Sequence, residues 1–297
     1  MRFQGCGTAL VTPFLPDLSL DEPTLRRLVR RQIDAKIDFL VPCGTTGETP
    51  TLEHEERLRV VEIVLEEAKG KVPVLAGAGG YHTGEVIVLA RELKALGVDG
   101  ILSVTPYYNK PTQEGLYQHY LAIASAVQLP IVVYNVPGRT GVNVDPATMR
   151  RLAAIDNIVG VKEASGNVAQ MANLCATLPA DFDGLSGDDA VTIALAGMGG
   201  KGLISVASNE IPGAMGDLTR AAVAGRFDEA RALQKKWLPL MEVNFVESNP
   251  IPVKWALARL GLLEPVYRLP MVPPSQASRD RIAEVLRECG VEVQAGA

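Results

Sequence analysis

Residues that bind metals or form disulfides are scarce in this chain of 297 residues, which has three histidines and four cysteines. Cys6, Cys43, Cys175 and Cys289 stand far apart with no C-x-x-C pair, so neither a zinc site nor a disulfide framework is indicated. His54, His82 and His119 are equally isolated and lack the spacing of a ligand pair, which argues against metal-assisted aldol chemistry. No apolar run reaches the length of a membrane span. The amino terminus offers one arginine and a short apolar stretch broken at Pro13, a poor signal peptide. Gly77-Ala78-Gly79-Gly80 lacks the last glycine of a dinucleotide fingerprint, and Gly200-Lys201 runs into Gly202 where a phosphate loop needs Ser or Thr. No Ser-His-Asp or Cys-His arrangement can be read. A net charge of −5, with acids and bases interspersed, points away from nucleic acid and anionic membranes as partners. The expectation is a cytoplasmic metabolic protein.

What the chain does have is core, with 47% hydrophobic residues, and a rhythm. Phe3 to Phe14 reads as a strand and Asp21 to Ile37 as an amphipathic helix. Apolar runs then recur at Phe39 to Pro42, Val72 to Ala76, Gly100 to Val104, Ile131 to Tyr134, Ile158 to Lys162, Phe182 to Ser186 and Gly202 to Val206. Helical segments follow them at Glu53 to Lys69, Thr83 to Leu96, Gln113 to Val127, Pro146 to Ala154, Val168 to Leu178, Asp189 to Ala196 and Pro212 to Ala224. Strands separated by helices imply a parallel sheet, and eight units in residues 1–225 have the length of a (β/α)8 TIM barrel, with an open doubly wound sheet as the alternative. From residue 226 to 297 the strands stop. Helices at Phe227 to Val246, Pro252 to Leu260 and Gln276 to Cys289, with proline-rich breaks between them, predict a small C-terminal helical domain packed on the barrel.

Barrel chemistry sits past the carboxyl ends of the strands. One lysine stands there. Lys162 directly follows Ile158, Val159 and Val161 and precedes the helix start at Ser165-Gly166-Asn167, whereas Lys201 stands ahead of its own apolar run. Burial of an amine favours its neutral form, which is a nucleophile toward ketones, although a lysine snorkelling out of a strand end would read the same alone. Gly44-Thr45-Thr46-Gly47 offers backbone N–H groups and hydroxyls for a small carboxylate, or an ordinary turn capping the next helix. Tyr134, one strand over from Lys162, is placed to shuttle a proton, or is a core tyrosine with a satisfied hydroxyl. Arg139 in Pro137-Gly138-Arg139-Thr140-Gly141 is a candidate carboxylate clamp, or a surface arginine.

Taken with Pro106-Tyr107-Tyr108-Asn109-Lys110-Pro111, Val161-Lys162-Glu163-Ala164-Ser165-Gly166 and Asn249-Pro250-Ile251-Pro252-Val253-Lys254, these motifs resemble the dihydrodipicolinate synthase (4-hydroxy-tetrahydrodipicolinate synthase) family over nearly the whole chain. The resemblance implies a class I, Schiff-base-forming lyase that condenses pyruvate with L-aspartate-4-semialdehyde, the first committed step toward diaminopimelate and lysine. It implies Lys162 as the imine lysine; Tyr134, Thr46 and Tyr108 as a proton relay, with Tyr108 reaching into a neighbouring subunit; and Thr45 and Thr46 at the pyruvate carboxylate. Arg139 would meet the semialdehyde carboxylate, and Gly187 and Ile204 would supply backbone contacts. Neither metal nor organic cofactor is implied, and the assembly would be a homotetramer, a dimer of dimers. His54, Glu85 and Tyr107 match positions of a lysine-binding regulatory site, but Tyr81 stands where lysine-sensitive members carry asparagine and Arg57 replaces another polar position, so weak or absent inhibition is expected. A sister aldolase acting on sugar acids and a silent keto-acid binder are the competing readings.

Overall fold

The structure, a computed structural model, describes residues 3–293. Its strands are β1 Gly5–Ala9, β2 Phe39–Val41, β3 Leu75–Gly77, β4 Gly100–Val104, β5 Ile131–Asn135, β6 Ile158–Glu163, β7 Asp183–Ser186 and β8 Gly202–Ser205. All pair in parallel, in the order β2-β1-β8-β7-β6-β5-β4-β3, and a parallel bridge from Leu40 to Val74 closes the ring. The helices that follow them in turn are α1 Glu22–Asp34, α2 His54–Ala68, α3 Thr83–Leu96, α4 Gln113–Ala126, α5 Pro146–Ala153, α6 Val168–Thr177, α7 Thr192–Gly197 and α8 Pro212–Val223. This is the (β/α)8 barrel that the alternation predicts. Beyond it come α9 Phe227–Val243, α10 Ile251–Arg259 and α11 Gln276–Glu288, and among the described residues no strand follows β8.

The local causes are plain in the side chains. Strands covered on both faces read as unbroken apolar runs, and all five residues of β5 are buried. Helices carry an apolar stripe and a capping side chain: Asp21 accepts from the Thr24 amide at 3.0 Å and Asp145 from Thr148 at 2.7 Å. Phe3, Phe39, Leu75, Leu102, Val132, Leu185 and Ile204 fill the barrel interior. Phe3 and Phe39 meet edge to face at 5.6 Å, and they fit because a Cβ on Gly7 would stand 2.1 Å from the Phe39 ring and one on Gly100 2.7 Å from Phe3. The amino-end mouth is thereby plugged.

Several predicted boundaries move, and three of the shifts have a cause that is plain in the contacts. β1 ends at Ala9, because the Val11 amide turns to the Asn209 side chain at 3.2 Å and leaves the ladder. The helix expected at Asp189 opens as a 3-10 turn, Asp189–Val191, since the buried Asp189 carboxylate accepts from the Val206 and Ala207 amides at 3.0 and 3.3 Å and is fixed outside a helix. α9 stops at Val243, three residues early, which frees Phe245 and Asn249 to approach the barrel mouth. α10 seals against the barrel by packing Val253, Leu257 and Ala258 with Val11, Leu28 and Val206.

Candidate active site

Lys162 lies on β6 in register with Tyr134 of β5, where adjacent strands bring same-facing side chains together. Its Nζ stands 4.2 Å from the centre of the Tyr134 ring, and the two residues are 6% and 7% exposed. The space for the lysine is created by Gly187, just past β7. A Cβ there would sit 3.1 Å from Lys162 Cε and 2.6 Å from Ala164 Cβ. Behind the strand pair, the buried Glu163 carboxylate accepts from Ser165 N (2.7 Å), Asn135 Nδ2 (3.0 Å) and Gln170 Nε2 (3.2 Å), tying the ends of β5 and β6 together. Lys201, by contrast, opens the strand β8 from its amino side, with its amide donating to Gly184 at 2.7 Å.

Lys162 and Tyr134 open into a cavity of about 140 Å³ whose wall includes Thr45, Thr46, Arg139, Gly187, Phe245 and Asn249. A second hollow of about 260 Å³ adjoins it and shares Thr45, Tyr134, Val136 and Arg139. Thr45 and Thr46 form a 3-10 turn, Thr45–Gly47, after β2, and Thr12 Oγ1 donates to the Gly47 carbonyl at 2.8 Å beneath it. Asn249 Nδ2 donates to Thr46 Oγ1 at 3.0 Å, leaving the Thr46 proton to point at another acceptor. Arg139, on the one-turn helix Pro137–Thr140, is exposed at the rim and reaches the Asn249 carbonyl at 3.5 Å. Cys43 borders the outer hollow, but burial pushes its thiol up to about 12, so it stays protonated and is no nucleophile. His119 is held neutral in the core, its pKa lowered to about 4 by burial.

Two expected residues stand apart from this cavity. Tyr108 is 91% exposed on a left-handed loop residue, φ 65°, and does not line its own chain's cavity. Ile204 is fully buried in the barrel interior, with Val206 lining the wall in its place. His54, Tyr81, Glu85 and Tyr107 are brought together with Arg57 in a separate cleft of about 700 Å³ between α2 and α3. Tyr81 and Tyr107 meet there edge to face at 5.2 Å, and burial, with Tyr81 adding to it, raises the Tyr107 pKa. Arg57, Gly79 and Tyr107 are also walls of the outer hollow, so cleft and cavity share a partition. Residues that sequence reasoning passed over are Phe245, Asn249 and Val136. Asn249 entered the sequence reading only as part of the proline-rich motif Asn249–Lys254 that contributes to the resemblance, with no role assigned to it.

The sequence profile of the dihydrodipicolinate synthetase family matches residues 2–289. The 4-hydroxy-tetrahydrodipicolinate synthase of Koribacter versatilis is 53% identical over 292 residues, covering 98% of this chain and 97% of that protein. The solved structure of the dihydrodipicolinate synthase of Acinetobacter baumannii complexed with pyruvate superposes with a TM-score of 0.97 at 44% identity, covering 98% of this chain and 100% of the other. That of Cyanidioschyzon merolae with lysine bound gives 0.94 at 38% identity, over 98% and 99% of the two chains. With a Schiff-base lysine candidate, its neighbouring tyrosine and a threonine turn assembled at the mouth of such a barrel, the chain belongs to the dihydrodipicolinate synthetase family.

Proposed function

We propose that this protein condenses pyruvate with L-aspartate-4-semialdehyde to give 4-hydroxy-tetrahydrodipicolinate, the first committed step toward diaminopimelate and lysine. The observation that carries the reading is a buried amine, Lys162 Nζ, held 4.2 Å from the Tyr134 ring in a small cavity edged by two threonines. Lys162 attacks the keto carbon of pyruvate, and loss of water leaves an imine. The imine is an electron sink: a methyl proton leaves, the resulting enamine carbon attacks the aldehyde carbon, and a carbon–carbon bond forms. The semialdehyde's amine then displaces Lys162 from the imine carbon and closes the ring. This sequence needs no cofactor beyond the covalent imine.

Tyr134 moves the protons that the carbinolamine gains and loses. Thr46 already accepts from Asn249, so its own proton is free for the pyruvate carboxylate, while Thr45 borders both hollows beside Tyr134. We therefore place the relay hydroxyl expected at Thr46 on Thr45 and keep Thr46 as a carboxylate donor. Gly187 supplies room at the lysine, and Arg139 at the rim meets the semialdehyde carboxylate. Tyr108, exposed in its own chain, completes the relay of a neighbouring copy in a homotetramer built as a dimer of dimers. We also propose a cytoplasmic location, the ordinary one for such a biosynthetic step; no helix among the described residues is long and apolar enough to cross a membrane. Incubation with both substrates, followed by NMR of the product, tests this reading. Formation of the cyclic product supports it, whereas cleavage of a 2-keto-3-deoxy sugar acid with no turnover of the semialdehyde would assign the lysine to a sister aldolase.

A further inference from the structure

Glu48 closes the threonine turn, and nothing in the proposed reaction uses it. It stands in the left-handed region at φ 51°, as does Cys43 at φ 55° on the other side of the turn. Non-glycine residues held there cost on the order of 1 kcal/mol or more each, so the surrounding structure must impose the conformation. The Glu48 side chain is 1% exposed and that of Lys254, from α10, 0%. Lys254 Nζ donates to Glu48 Oε1 and, at 2.7 Å, to the Val266 carbonyl, and it lies 4.4 Å from the Phe14 ring centre and 5.2 Å from that of Tyr267. The other Glu48 oxygen accepts from the Arg268 amide at 3.5 Å. Burial lowers the Lys254 pKa and Glu48 opposes the shift, so each charge depends on the other to stay in place. Only five residues before Lys254, Asn249 holds the hydroxyl of Thr46. Two side chains of the C-terminal helical region thus grip two residues of one turn, across more than two hundred residues of sequence.

We infer that Lys254 and Glu48 are positioning residues for pyruvate: the buried pair fixes the strained turn so that Thr45 and Thr46 face Lys162, which makes the C-terminal helices part of the active site. This rests on the pyruvate-imine reading above. An ordinary structural ion pair would contribute to folding and leave substrate affinity alone; a positioning pair sets the pyruvate concentration at which the imine forms.

The test uses full-length Glu48→Gln, Lys254→Met, the double variant and Glu48→Asp, each assayed by thermal melting and by the pyruvate dependence of borohydride-trapped Lys162 adduct. Each single charge removal strands its partner and should lower the melting temperature; removing both should restore it toward the wild type. The half-saturating pyruvate concentration is expected to rise at least tenfold in both charge-removal singles and in the double variant, with the amount of adduct trapped at saturating pyruvate changed less than threefold. Glu48→Asp keeps the charge on a shorter arm and should fall between. A double variant that melts and traps pyruvate like the wild type overturns the inference, as does affinity that follows the melting temperature down and back up. If the double variant does not fold, wild-type pyruvate dependence in Glu48→Asp overturns it. Failure of the wild type to trap pyruvate at all would instead sink the imine reading.

Discussion

Replacing Gly187 by alanine adds a single methyl group next to the reactive lysine. No left-handed backbone angle is involved, so any effect is steric. The added Cβ would stand 2.6 Å from Ala164 Cβ, 3.1 Å from Lys162 Cε and 3.2 Å from the Glu163 carbonyl. Carbon atoms rest at about 3.5–4.0 Å, so Ala164 and the lysine arm must give way together by several tenths of an ångström to an ångström. Overpacking of this kind costs about 1–3 kcal/mol of folding stability, and an error of about 1 Å in a reacting group costs about a hundredfold in rate. Gly187→Ala should therefore fold with a lowered melting temperature and form the pyruvate imine about a hundredfold more slowly, read by quenched-flow borohydride trapping. Imine formation at the wild-type rate in a folded variant would refute the claim that Gly187 makes room for Lys162.

Tyr134→Phe keeps the ring beside Lys162 but deletes the phenol; trapped-imine kinetics should slow by about 10²–10⁴, the usual worth of a positioned acid or base, with little change in melting temperature. Glu210 is buried, and desolvation raises its pKa from 4.5 to about 8, helped by Asp189 and opposed by its bond from Asn244 and by Arg31. The folded chain therefore keeps a proton that the unfolded chain releases, and the associated stability, complete below about pH 4.5, drains away as pH rises to about 8. Glu210→Gln removes that loss, so its melting temperature should exceed the wild type's by a margin widening from pH 5 to pH 8; parallel melting curves would refute the assignment. Tyr81 lines the α2–α3 cleft with its ring packed edge to face on Tyr107, where lysine-sensitive relatives are expected to carry asparagine, so added lysine should inhibit weakly or not at all, and a tight, cooperative inhibition curve would contradict this.

The barrel was legible because its causes are local. Strands buried on both faces must be apolar throughout, helices must carry a stripe, and both periods survive in the bare sequence. Lys162 was legible for the same reason, as the first charge after an apolar run. Gly44-Thr45-Thr46-Gly47 and Arg139 followed from the rule that chemistry collects at the carboxyl ends of barrel strands, whereas Gly187 was assigned only through the family resemblance. What escaped has no local cause. Phe245 and Asn249 reach the cavity from beyond the barrel, and the Lys254–Glu48 pair spans 206 residues of chain. No periodicity records such a contact; only the packing of α10 against the barrel creates it. The early end of α9 and the non-helical start at Asp189 were hidden in the same way, since a distant partner set each of them.

The central claim is that Lys162, alone among the lysines, forms an imine with pyruvate. Incubating the protein with pyruvate and sodium borohydride, digesting it and mapping the adduct by mass spectrometry tests that claim. The structure predicts one reduced adduct, on Lys162, absent from Lys162→Ala and suppressed when aspartate semialdehyde is present and turning over. An adduct on another lysine, or none at all, would contradict it.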